Sequence, residues 1–400
     1  MLFVPVALVI LYSLATFGST PPANWFLLGL LVSVLAGAYL VWSAVYRAEW
    51  HPSVLTGLFL LILGLMLPGS PIVLGLLFGS LVWVVSRYAS ENQTLRFLKL
   101  LVVVGVAEAV LGLTQHFVSP GWIFGYINPH YRVSGTLINR NHFAGLLEML
   151  IPAAFGLAYV TVRRSADVAR SYLYLLTAVI MSLAVLFSVS RMGIIALLIS
   201  VLFVGLLVRA RRSQRRLALG FTLTFVGLVA IGALWLGVDA ITERYSYLIG
   251  EDALLREGRI LVYQDTIKMI LAHPMGTGTG SYEDRFREYQ TFRPDLLFDH
   301  AHNDYLETAV EWGVPIAVAF WLCIALAWLR AVRLFLSIQS PEQRGILLAC
   351  IGAMTSILIH SLADFNLQIP SNSMLFFGFI GMSLSVPSRH DGQAGFLKNR

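Results

Sequence analysis

The chain has 400 residues, 57% of them hydrophobic and only 12% charged, with a net charge of +6 and a mean hydropathy of +0.75. Soluble domains carry about 25% charged residues, so this composition excludes a water-soluble globular protein. The basic charge sits between apolar runs, which leaves no nucleic-acid role and points to the lipid bilayer as the surrounding solvent.

A bilayer-spanning helix needs about 20 apolar residues, fewer when its ends are buried. The sequence predicts about twelve, over 3–18, 25–45, 54–67, 72–88, 96–117, 143–161, 171–189, 192–209, 217–238, 313–333, 345–361 and 373–387. The first lacks a basic start and a small-residue cleavage site, so it reads as a span and not as a cleaved signal. The third and fourth flank Pro68-Gly69-Ser70-Pro71 and are either two short spans or a re-entrant pair. Cys323 and Cys350 lie inside apolar runs and read as buried thiols, neither a disulfide nor a metal site.

With the N-terminus in the cytoplasm, the cytoplasmic segments hold 18 of the 28 Lys and Arg. The short outer connections hold three, Arg132, Arg140 and Arg191, and the long outer loop holds the other seven. Long loops do not count toward the positive-inside rule, so the comparison is 18 against three. The predicted organisation is spans 1–9 over 1–238, an outer loop over 239–312, spans 10–12 over 313–388 and a cytoplasmic tail over 389–400.

The outer side collects the chemistry. Glu108, with Gln115 and His116 nearby, lies in the fifth span, and Glu148 in the sixth; either carboxylate is placed to pair with an outer arginine. Residues 135–145, which include Arg140 and His142, open the sixth span and suit either an anion site at a helix N-terminus or simple capping. Arg191, in Ser190-Arg191-Met192-Gly193, stands where two spans meet on the outer side. An arginine there costs several kcal/mol if buried, so it either serves function or snorkels to lipid phosphate.

In the outer loop, 251–272 has the spacing of an amphipathic helix that Pro274 ends. Arg259 within it reads by type as a surface arginine. Gly276 to Gly280, with Gly278 at its centre, is either a phosphate cradle of backbone N–H groups or a turn. A short charged helix follows over 281–290. His300-Ala301-His302-Asn303 comes next; two histidines at i and i+2 do not share a helix face. They are a metal pair, a base with a helper, or a helix start capped by Asn303. No HExxH or cysteine cluster supports zinc. His360 to Asn366, including Asp364, ends the eleventh span and either lines a cavity or caps the helix.

Taken in order, these segments resemble the O-antigen ligase superfamily over roughly 130–385. The resemblance rests on Asn139-x-Asn141-x-Phe143-Ala144, on Ser190-Arg191-x-Gly193, on Arg259 followed by the Pro274–Gly280 turn, and on His302-Asn303 followed by nine residues and then Gly313. Ile316 departs from the pattern, which has a hydroxyl residue there in the lipopolysaccharide ligase branch. The resemblance implies an all-α polytopic membrane protein related to the GT-C fold, with a large helical periplasmic loop, in the bacterial inner membrane. It implies metal-independent, inverting transfer, without a cofactor, of a glycan from undecaprenyl diphosphate to an acceptor hydroxyl on lipid A-core, a glycan or a protein. His302 would be the general base, Arg191 and Arg259 would hold the donor diphosphate, and His300, Asn303, Arg140, His142, Gly278 and Asp364 are accessory candidates. Polymerases and protein O-oligosaccharyltransferases share the pattern. A lipid-linked glycan transporter would carry charge on both faces and an internal repeat, neither of which the sequence has.

Overall fold

The computed structural model describes residues 2–19, 27–35, 70–128, 133–165, 167–210, 258–293 and 295–387, with a few isolated positions between them. The spans expected at 25–45 and 217–238 are described only in part, and 54–67, 239–257 and the tail lie outside the described residues. The described helices are α1 (Val4–Ala15), α2 (Pro71–Tyr88), α3 (Glu91–Phe117), α4 (Arg140–Ser165), α5 (Val168–Ser188), α6 (Arg191–Arg209) and α7 (258–272). They continue with α8 (Tyr282–Phe286), α9 (Asp304–Trp312), α10 (Val314–Ser337), α11 (Pro341–His360) and α12 (Pro370–Ser385). One two-residue hairpin pairs Trp122–Ile123 with Tyr126–Ile127.

Seven described helices, α2 to α6, α10 and α11, are long and apolar enough to cross a bilayer, and the chain is a polytopic membrane protein. Their ends follow local chemistry. Ser90 and Gln93 form a capping box at α3, and Asp167, Ser190 and Ser340 cap α5, α6 and α11 by accepting a backbone N–H three residues on. Each satisfies a donor that lipid would leave unpaired.

Helix α4 is the central post, its apolar stretch wholly buried between α3, α5, α6 and α11. Small residues set the tightest crossings. A side chain at Gly79 of α2 would lie 2.5 Å from the Phe377 carbonyl of α12, and Gly156 of α4 faces the Gly345 carbonyl of α11. Without a hydrophobic drive between helices in lipid, such close backbone approach supplies the packing energy. Cys350 is buried here, but Cys323 is exposed, because α10 turns most of its surface away from the bundle.

The turns 133–139, 189–190 and 361–369 lie at one end of the bundle. The ends of α3 and α4 at 89–92 and 164 meet the start of α11 at the other, where Arg164 contacts Asn92 and Glu342. The turn between α5 and α6 is held at Val189, whose φ of 56° is strained for a β-branched residue.

Candidate functional site

Four short segments build the site at the first of these ends. The first is the start of α4. Glu108 accepts from the Thr136 N–H and hydroxyl at 2.9 and 2.8 Å, and Gln115 bonds the backbone of Ser134 and Gly135. These two polar groups of α3 fix the 133–139 turn. Asn139 then accepts from the Asn141 N–H and starts α4 three residues earlier than the apolar run predicts. This turn delivers His142, which is buried, and Arg140, which is half-buried beside it.

The second segment is 300–304. Asn303 caps α9, accepting from the N–H groups of Tyr305 and Leu306 at 3.0 and 3.1 Å, and its amide donates to the Leu362 carbonyl. Its role is thus to dock the histidine pair against the end of α11. His302 adopts a φ of 49°, a left-handed conformation uncommon outside glycine. The Tyr263 hydroxyl of α7 donates to its carbonyl at 2.9 Å. This bend sends the two histidines to different carboxylates. His300 Nδ1 lies 2.7 Å from Glu307 Oε1, and His302 Nδ1 lies 3.7 Å from Asp364 Oδ1. They do not converge, and among the described residues no group of three His, Cys, Asp or Glu is arranged to hold a metal.

The third segment is 360–366. Asp364 is buried, and its Oδ1 also lies 3.8 Å from His142 Nε2, so one carboxylate faces two histidines. Burial alone would push this carboxyl up, but His142 and His302 hold it well below the usual carboxylate range, as an anion. Phe365 next to it touches all three rings. His300 stacks on it at 4.1 Å, and His142 and His302 meet it edge-on at 4.7 and 4.9 Å. Glu148, one turn inside α4, pairs with His360 at 2.9 Å with both side chains fully buried.

Glu307 sets the charge of His300. Burial lowers the His300 pKa, but Glu307 outweighs it and holds the ring up at about 9, so His300 is a cation at neutral pH. Asp304, buried below, is pushed well above its usual value by desolvation, against hydrogen bonds from Ser361 and Leu367.

The fourth segment, the glycine run, resolves as a turn. Thr277 and Gly278 donate their N–H groups to the carbonyls of Val310 and Glu311 at 2.9 and 3.0 Å. The Gly280 and Tyr282 N–H groups bond the Glu311 carboxylate. The loop does form an anion cradle, but a carboxylate of the chain itself occupies it. Gly278 therefore binds the end of α9, not a phosphate. Gly313 has its reason here too. With φ at 84°, it lets the chain pass so close to Met275 that a side chain would lie 2.5 Å from the Met275 carbonyl carbon. The nine residues between Asn303 and Gly313 are the length of α9.

Arg191 starts α6 and is half-buried. Gly193 two residues on packs against Ala144 of α4, two residues from His142. Arg259 is half-buried on α7, within electrostatic reach of Tyr263, which in turn feels Asp364. Ile316 is exposed on the outer surface of α10.

A cavity of about 610 Å³ adjoins this cluster on the side of His300 and His142, with Phe365 as a shared wall. Glu307 and Glu311 line its interior, Glu283 and Asp299 its rim. Phe365, Tyr263, Glu307 and Gln368 are site residues that the motifs alone did not single out for a role. A tyrosine on the buried face of the amphipathic α7, beside Val262 and Thr266, is the one signal that pointed inward.

No curated protein matches the chain. Residues 176–321 match the family model described as O-Antigen ligase. That stretch holds Arg191, Arg259, His300 and His302, and residues 140–142 and 360–366 outside it complete the cluster. The matched stretch is 146 of the 400 residues; over it the chain is similar to the O-antigen ligase domain, which supports a place in the O-antigen ligase superfamily.

Proposed function

We propose that the protein transfers a glycan from undecaprenyl diphosphate to an acceptor hydroxyl at the periplasmic face of the bacterial inner membrane, with His302 as the general base. The observation that carries this reading is the His302–Asp364 pair. Nδ1 of His302 faces a buried carboxylate, which favours the tautomer with Nδ1 protonated and leaves the Nε2 lone pair for the acceptor. The acceptor oxygen loses its proton to Nε2 as it bonds the anomeric carbon. The carbon–oxygen bond to the diphosphate breaks, and undecaprenyl diphosphate leaves with the electron pair. Attack opposite the leaving group inverts the anomeric centre. A well-placed base contributes about 10²–10⁴-fold.

His300 is unsuited to be the base, because Glu307 keeps it protonated at neutral pH. It is instead a fixed cation on the cavity side of Phe365. Arg191 and Arg259 hold the diphosphate. Arg191 sits at a helix N-terminus, where the dipole also favours an anion, and Arg259 rides on the helix that supports the His302 backbone. The test is transfer by the purified protein from undecaprenyl-diphosphate glycan, wild type against His302→Ala. Loss of product with intact folding and donor binding is expected; equal activity in both proteins removes His302 as base.

A further inference from the structure

The cavity beside Phe365 has a chemistry of its own. Glu283 and Asp299 stand at its rim and Glu307 and Glu311 inside, against His300 and a buried His142. Its formal charge is therefore negative even with His300 protonated, and a diphosphate is repelled from it. The walls are mixed: Phe17 offers a ring surface, and Asn139 and Thr279 offer hydrogen-bonding groups. Two lining side chains, His142 and Gln368, carry a buried nitrogen with no hydrogen-bond partner among the described residues. Gln368 is only 6% exposed, and its nitrogen is that of the side-chain amide. A buried amide left so is a standing penalty, which a ligand oxygen bonded to it would relieve.

We propose that this cavity binds the body of the acceptor as an uncharged or amino-bearing glycan, and excludes anionic ones. The proposal rests on the glycosyl-transfer reading above. Sugar hydroxyls donate to carboxylates and accept from the Gln368 amide, while ring faces pack the apolar side of a pyranose. An amine on the sugar gains from the acidic rim, whereas a uronic acid or phosphate loses. The donor diphosphate then stays on the Arg191 and Arg259 side, with Phe365 between the acceptor body and His302.

The test uses the full-length protein in lipid nanodiscs against an array of neutral, amino-sugar and uronic or sulfated oligosaccharides. Binding to the neutral and amino-sugar members is expected, weakened about tenfold by Gln368→Ala. Glu283→Lys shifts binding toward the acidic members. Binding confined to acidic glycans, binding unchanged in both variants, or no glycan bound by folded protein each overturns the proposal. A second arm measures undecaprenyl diphosphate binding, expected to be equal in wild type and both variants. A wild type that ignores this donor sinks the transfer reading, while the array still decides the cavity.

Discussion

His302 Nδ1 and Asp364 Oδ1 face each other at 3.7 Å, with the carboxylate buried and the imidazole reaching the surface. If the carboxylate orients the base, Asp364→Asn keeps the shape and removes the charge. A fall in kcat of about 10²-fold is expected, with the donor KM unchanged. Steady-state kinetics with both substrates varied checks this, and an unchanged kcat refutes the pairing.

The His300–Glu307 pair makes a prediction about pH. Its pKa is raised above that of an unfolded histidine, so the stabilisation is complete below pH about 6.5 and fades as pH rises through about 9. Activity that needs the cation should fall over the same alkaline range. In Glu307→Gln, burial acts on His300 without the opposing charge, and the alkaline limb moves toward neutrality. A pH–rate profile of both proteins tests this, and superimposable limbs rule it out.

Tyr263→Phe removes one hydrogen bond, to the carbonyl of a histidine in a strained conformation. The loss is about 0.5–1.5 kcal/mol. Because the contact is to the backbone of His302, the proposed base, it should appear as a several-fold drop in kcat, larger than its effect on Tm. A Tm change with no change in kcat would make the contact purely structural.

Gly145→Ala would place a methyl on the Asn366 side-chain oxygen, which accepts from Asn372, itself bonded to the His142 carbonyl. Overpacking of this kind costs about 1–3 kcal/mol. A lower thermal midpoint in detergent is expected; an unchanged one would show that the 366–372 segment can give way.

The bundle was readable because apolar runs of spanning length have few alternatives in a chain this poor in charge. The helix ends were read less well. Helix α4 starts at Arg140 because Asn139 caps it, a polar event that a hydropathy count does not register. In the site, His142, His300, His302 and Asp364 were visible as members of separate motifs. Their meeting at one ring was not, because it depends on how α4, α9 and the end of α11 pack. The glycine run misleads in isolation: its N–H groups suit a phosphate, and only the fold shows that Val310 and Glu311 already use them.

Phe365 is both a wall of the cavity and a neighbour of the ring of His302, the proposed base. A change there alters which glycan enters and how fast it reacts in a single step, so the two traits cannot drift independently at that position. Relatives that switch acceptors while keeping their rate should differ at the rim, at Thr279, Glu283 or Asp299, and hold an aromatic ring at 365. An engineer seeking a new acceptor would randomise those rim positions first and leave the ring alone.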